Sequence, residues 1–286
     1  PESTGAIAGS RLDRWGVSQN LLLQHRSCWN LPRKLSPSSS CHASCVQPVF
    51  RMAHDTAGPI VLALPGPQYT HNLAEGELRI AGKPLKVFAE GSQGRGTAWD
   101  IWDGAICLAL YLERVAEQLK AALGPADRRR VLELGSGTGV AGIAAAMALG
   151  VPTVLTDLGE ALPALEKNVA LNPSVAPLLR VEELDWCQLT GVSDTLGGPF
   201  GLVIAADCVW LEHLVAPLVA ALEALVDGRT KAIIAYQSRS ARVDELLFGL
   251  LDRCFERVAL PPAPGEPPRG VIDLYALHRK DGSTML

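Results

Sequence analysis

The sequence predicts an α/β fold built on a mostly parallel sheet with helices on both faces. Three observations carry that prediction. From residue 99 onward, short apolar β-branched runs alternate with amphipathic stretches of helical length, the order in which strand–helix–strand units build parallel sheets. One run, Val131-Leu-Glu-Leu134, leads into Gly135-Ser-Gly-Thr-Gly139 and then into the Ala-rich stretch Val140–Leu149, so a strand, a tight turn and a helix follow one another directly. Acids also close successive strand-like runs, at Asp157, Asp185 and Asp207, and the carboxyl ends of parallel strands share one crevice.

Taken in order, residues 1–51 stand apart. They hold six basic and two acidic side chains, net +4 in a chain of net −4, so the remainder carries −8. Ser36-Pro-Ser-Ser-Ser40 is low in complexity, and no apolar periodicity runs through the segment. Such an Arg- and Ser-rich, acid-poor stretch reads either as an organelle transit peptide or as a disordered extension ahead of Met52. The folded domain is expected over 52–286, with N-terminal strands in 59–98 and the core in 99–286. Residues 59–65 and 77–89 read as short strands. Within the second, Leu78-x-Ile80 and Leu85-x-Val87 alternate about Gly82-Lys-Pro84, which predicts a hairpin. Residues 91–96 read as a loop.

A single helix is expected over 101–123, with Leu108, Leu112, Val115, Leu119 and Leu123 at helical spacing. The core strands are expected at Val131–Leu134, 152–157, Leu179–Glu183, 200–206, 231–236, 255–260 and 271–277. Helices are expected at Val140–Leu149, 162–171, 211–226 and 242–254. Asn172-Pro173 stops the second of these helices. Pro261-Pro-Ala-Pro-Gly-Glu-Pro-Pro268 joins the last two strands.

The glycine turn narrows the ligand. Its spacing is G-x-G-x-G, with Val140 where a dinucleotide fingerprint would place its last glycine, and no lysine follows as a phosphate loop requires. Glu133 beside the turn disfavours phosphate and suits a cationic ligand. S-adenosylmethionine, with a sulfonium and an α-ammonium, fits that chemistry. An acid about 20 residues beyond such a turn, here Asp157, is placed to bind ribose hydroxyls.

Composition sets bounds on function. The chain is 48% hydrophobic and 20% charged, as expected of a soluble globular domain, and its charge gives no sign of a general nucleic-acid binder. No apolar run approaches the roughly 18 residues of a membrane span. Seven scattered cysteines fit a reducing compartment, with Cys107, Cys187, Cys208 and Cys254 as core residues. Cys41 and Cys45, with His42 and Cys28 nearby, lack a second pair, so no metal site is expected.

Several stretches together resemble the seven-β-strand S-adenosylmethionine-dependent methyltransferases, and within them the family-16 protein-lysine methyltransferases. They are Trp102-Asp-Gly-Ala-Ile-Cys-Leu-Ala-Leu-Tyr-Leu-Glu113, Leu132-Glu-Leu-Gly-Ser-Gly-Thr-Gly139, Leu155-Thr-Asp157, Asn168-Val, Leu184-Asp-Trp186, Ala206-Asp-Cys-Val-Trp210 and Tyr236-Gln-Ser-Arg239. The resemblance spans residues 75 to 280. It departs at Trp210, where the family usually has Tyr or Phe, and this bears on the acceptor channel.

The resemblance implies a Rossmann-like seven-stranded sheet with its last strand antiparallel. It also implies a protein-lysine N-methyltransferase that uses S-adenosyl-L-methionine, acts on a lysine-bearing protein, and is monomeric and cytoplasmic unless residues 1–51 direct it elsewhere. On this reading Glu133 meets the methionine ammonium, and Gly135, Ser136 and Gly137 pass under the ligand. Asp157 takes the ribose and Asp185 the adenine amino group, while Trp186 flanks the adenine. Trp102 contacts the cofactor, Ala206 lets the backbone approach it, and Asp207 orients the incoming lysine. For Asp207 the plain alternative is a cap on the helix that follows it, and for Asp185 a helix or turn cap. A small-molecule methyltransferase on the same fold and a catalytically silent cofactor-binding module remain open. The intact set Glu133, Asp157, Trp186 and Asp207 argues against the silent module.

Overall fold

The computed structural model describes residues 69, 71–91, 96–262 and 269–280, all within one compact unit, Pro65–Leu286. The extension over 1–51, its cysteines, the run at 59–65 and most of the loops at 91–96 and 261–268 lie outside the described residues.

The described residues open with β1 (Arg79–Ile80), β2 (Lys83–Pro84) and helices α1 (Asp103–Arg114) and α2 (Ala116–Ala122). The core then runs β3 (Val131–Leu134), α3 (Val140–Leu149), β4 (Thr153–Asp157), α4 (Leu162–Ala170), β5 (Leu179–Glu183), α5 (Val192–Thr195), β6 (Leu202–Ala206), α6 (Glu212–Leu225), β7 (Lys231–Gln237), α7 (Ala241–Cys254), β8 (Phe255–Ala259) and β9 (Ile272–Arg279).

Seven of the strands form one sheet in the order β5-β4-β3-β6-β7-β9-β8. β3 to β7 are mutually parallel, and β9 runs antiparallel between β7 and β8. The expected core strands and their seven-stranded sheet are therefore present. The central strands β3, β6 and β7 are nearly continuous apolar runs because helices cover both their faces. The edge strands β5 and β8 instead carry Arg180, Glu182, Glu183, Glu256 and Arg257 and are partly exposed, which discourages further pairing.

The period-two alternation of β3 decides where its side chains go. Leu132 and Leu134 enter the core with Leu218 and Leu222 of α6 and Val243 and Leu247 of α7. Glu133 must then face the opposite side, under α3. All of α3 is buried, because it lies between the sheet and α1, and this removes the need for a polar face.

Two elements differ from expectation. The helix expected over 101–123 is bent at Val115 (φ −105, ψ 16). The hydrogen bonds survive the bend, with Val115 N–H on Tyr111 O at 3.1 Å and Leu119 N–H on Val115 O at 2.9 Å. The bend lets α2 pack on α3 and bury Leu119. The hairpin turns one residue earlier than its Gly-Lys-Pro stretch implies, at Ala81 (φ 49) and Gly82 (φ 74). Positive φ at both central residues is what a two-residue hairpin turn needs to match strand twist. The carboxylate of Glu113 in α1 accepts the Ala81 N–H at 2.7 Å and holds that alanine in place.

Residues 86–88 are joined to Asn168 of α4 and to Asn172 just beyond its end, four residues on. Asn168 accepts from Phe88 N–H (2.9 Å) and donates to Phe88 O (3.0 Å) and Thr138 O (3.0 Å). Asn172 accepts from Lys86 N–H (3.0 Å) and donates to Lys86 O (2.7 Å). Val87 between them is buried, while Phe88 is 58% exposed.

Candidate active site

The register of the central strands places three predicted residues side by side. Leu134 pairs with Thr156 on one flank and Ala205 on the other. One residue further on, Gly135 therefore lies between Asp157 and Ala206. The connections out of β3 and β6 diverge here, so a crevice opens at the carboxyl ends.

The turn itself is built from positive-φ glycines, Gly135 (φ 61), Gly137 (φ 51) and Gly139 (φ 85). Added side chains would crowd their neighbours. A Cβ on Gly135 would stand 3.0 Å from Cys208 Sγ and 3.1 Å from Trp186, and one on Gly139 would stand 2.6 Å from Leu165. A Cβ on Gly137 would stand 3.3 Å from the Ala98 carbonyl, so the segment ahead of α1 crosses the turn like a strap.

Ser136 pins the turn to β4, with its N–H on Thr156 O (2.9 Å) and its Oγ accepting from Thr156 N–H (3.0 Å). Its hydroxyl is thus committed to the sheet rather than turned to a ligand. Asp157 accepts from Gly137 N–H at 2.7 Å and from Leu158 N–H at 2.8 Å. Burial raises its pKa, against the pull of those two bonds. Each carboxylate oxygen has a second lone-pair position beyond the bond it already accepts.

Glu133 lies on the face of β3 opposite Leu132 and Leu134. Its carboxyl is 2% exposed and lies beneath α3, where a Cβ on Gly142 would come within 2.4 Å of Oε2. Burial pushes its pKa up to about 8, against hydrogen bonds from Ser136 and the Gly142 backbone, and nearby Asp157 adds to the rise. Oε2 is buried without a hydrogen-bond partner. Asp185 caps its own turn, accepting from Cys187 N–H (2.9 Å) and the Gln188 side chain (3.0 Å), and like Asp157 it keeps a second lone-pair position on each oxygen.

Asp207 occupies a strained position, with φ 51, and its side chain is only 2% exposed. It does cap a helix, but the helix is α1 and not the one that follows it. Oδ2 accepts from Gly104 N–H at 3.0 Å. Gly104 is essential to that approach, since a Cβ there would sit 2.4 Å from Oδ2. Burial raises the Asp207 pKa, opposed chiefly by Arg239, whose guanidinium stands 3.7 Å away. Oδ1 is buried with no hydrogen-bond partner.

Trp102 donates its indole N–H to Thr97 O at 3.0 Å, closing the strap on itself. Sequence reasoning missed Gly104, and it counted Cys208 only as a core residue. The Cys208 thiol points to Leu134 O (3.1 Å), and burial drives its pKa well above the ordinary range, so it packs beneath the turn as an inert group.

A glycine turn at the switch point of a seven-stranded sheet, an acid closing the next strand and an indole against the turn define the class of S-adenosylmethionine-dependent methyltransferases. Within that class, a family model described as lysine methyltransferase matches residues 80–253, and the chain belongs to that family. It is 34% identical to "Protein N-lysine methyltransferase METTL21A" of Mus musculus over 162 residues, covering 56% of this chain and 69% of that protein. It is 30% identical to "EEF1A lysine methyltransferase 3" of the same species over 170 residues, covering 59% and 68%. To "Protein-lysine N-methyltransferase EFM6" of Saccharomyces cerevisiae it is 29% identical over 215 residues, covering 68% and 85%.

Proposed function

We propose that this chain methylates the ε-amine of a lysine in a protein, using S-adenosylmethionine. The observation that carries the reading is the register at the sheet's carboxyl end, with Asp157 and Asp207 on opposite sides of a bare glycine turn. The residues present fit the cofactor. Gly135 and Gly137 offer backbone with no side chain, Asp157 keeps acceptor capacity for ribose hydroxyls, and Trp186 presents a flat face for adenine.

When bound, the cofactor supplies an electrophilic methyl group on a sulfonium. The protein's task is then to deliver a neutral amine in line. Free lysine titrates near ~10.4, so the acceptor must shed a proton at neutral pH. A desolvated channel favours that loss. Asp207 Oδ1, buried and unpartnered, has the capacity to accept from the incoming ammonium, and a raised pKa lets this carboxylate hold the proton briefly. Fixing nitrogen against methyl in near-attack geometry can lower a barrier by roughly 7–11 kcal/mol. Trp210, half-buried four residues into that loop, brings a ring face that can hold a cation.

The test is to incubate the protein with labelled S-adenosylmethionine and a proteome extract, with Asp157→Ala as control. A labelled lysine in a protein band that disappears with the control supports the reading. Label confined to small molecules would replace it with a small-molecule methyltransferase.

A further inference from the structure

We propose that Arg239 is a positioning residue that keeps the 97–102 strap closed over the glycine turn by joining it to the end of β6. The inference rests on the cofactor site described above. Arg239 follows β7, outside the turn and the strap, and its side chain is 15% exposed. Its guanidinium carbon lies 4.8 Å from the centre of the Trp102 ring. Its Nη2 stands 3.7 Å from Asp207 Oδ2 and 3.2 Å from Gln237 Oε1. One cation thus touches both the last residue of the strap and the carboxylate that receives the first turn of α1 through Gly104.

The strap is held at several points, the buried Trp99 among them. Trp102 bonds back to Thr97, so that hydrogen bond shapes the strap without anchoring it elsewhere. Arg239 against the indole adds to anchors that include the Trp99 carbonyl, which accepts from Gly91 N–H (3.2 Å), and the Gly104 N–H donated to Asp207. The Asp207 carboxylate is nearly enclosed, so it depends on Arg239 to offset its charge. Removing the guanidinium therefore loosens two contacts at once, at the indole and at Asp207, and both hold the cover of the cofactor turn.

The planarity of the group matters here, which separates positioning from simple charge balance. A lysine ammonium can pair with Asp207, but it cannot lie flat on the indole while doing so. The experiment measures S-adenosylhomocysteine binding by calorimetry together with melting temperature, on the full chain carrying Arg239→Ala or Arg239→Lys. Arg239→Ala should weaken binding at least tenfold. Arg239→Lys should recover most of the melting temperature and little of the affinity.

Wild-type affinity in Arg239→Ala, or full recovery of both readouts by Arg239→Lys, would overturn the proposal. Should Arg239→Ala fail to fold, the divergence of affinity and melting temperature in Arg239→Lys still decides it. Failure of the wild-type chain itself to bind S-adenosylhomocysteine would overturn the cofactor reading and this inference with it.

Discussion

Replacing Glu133 by Gln should remove most of the pH dependence of stability between pH 5 and 8. Burial in the fold pushes this carboxyl up to about 8 from an ordinary value of 4.5. Between those values the folded chain holds a proton that the unfolded chain has released. Stability therefore falls as pH rises, by up to about 1.4 kcal/mol per pH unit, and levels off above pH 8. Over the whole interval the loss comes to about 5 kcal/mol at most. Gln is isosteric, still accepts from the Gly142 backbone and Ser136, and cannot ionise, so its penalty does not grow with pH. Urea unfolding of both proteins at half-unit steps from pH 5 to 9 isolates the effect, because every other titrating group is common to the pair. The wild-type curve should descend and the difference between the two should widen in favour of Gln, reaching several kcal/mol near pH 8.5. Parallel curves would refute the reasoning and mean that the carboxyl is hydrated, or relieved of its buried charge, when it ionises.

Asp157→Ala should weaken S-adenosylhomocysteine binding by roughly 1.5–3 kcal/mol, the worth of hydrogen bonds to a charged group, and unchanged affinity by calorimetry would remove Asp157 from the cofactor site. Asp207→Asn keeps an acceptor for Gly104 and loses the charge, so single-turnover methyl transfer should fall about 100-fold while cofactor affinity changes little. Near-normal transfer would make Asp207 a structural cap of α1 only. Gly142→Ala should lower the melting temperature although alanine is the better helix former by about 1 kcal/mol, because its Cβ would lie 2.1 Å from Leu155 Cδ2 and 2.4 Å from Glu133 Oε2.

The sheet was legible because its central strands are short apolar runs and the helices beside them, α3 aside, repeat apolar residues at helical spacing. The turn was legible because its glycines are adjacent in sequence. The burial of Glu133 beneath α3 follows from the alternation of its own strand and not from its distance to the turn. Leu132 and Leu134 must share a face, which sends Glu133 to the other. Gly142, a lone glycine inside an Ala-rich helix, makes room for that carboxyl, since a Cβ there would lie 2.4 Å from Oε2. The partner of Asp207 was out of reach for a different reason. Gly104 lies 103 residues earlier, and no local pattern announces that the N-terminus of α1 comes to rest on the end of β6. Arg239 over Trp102 is hidden in the same way, since the pair exists only once β7 is in the sheet.

Asn168 of α4 and Asn172 just beyond its end set an unusual division of labour in the chain. Asn168 and Asn172 read the peptide groups of Lys86 and Phe88, which nearly any amino acid would present equally well. Only the inward Val87 is chosen for its side chain. The docked segment is therefore specified by its receiver. Its outward residues, the exposed Lys86 and Phe88, are released from any duty to the fold and can drift or specialise without loosening the attachment, whereas either asparagine changed to aspartate would forfeit the donors that hold the carbonyls in place.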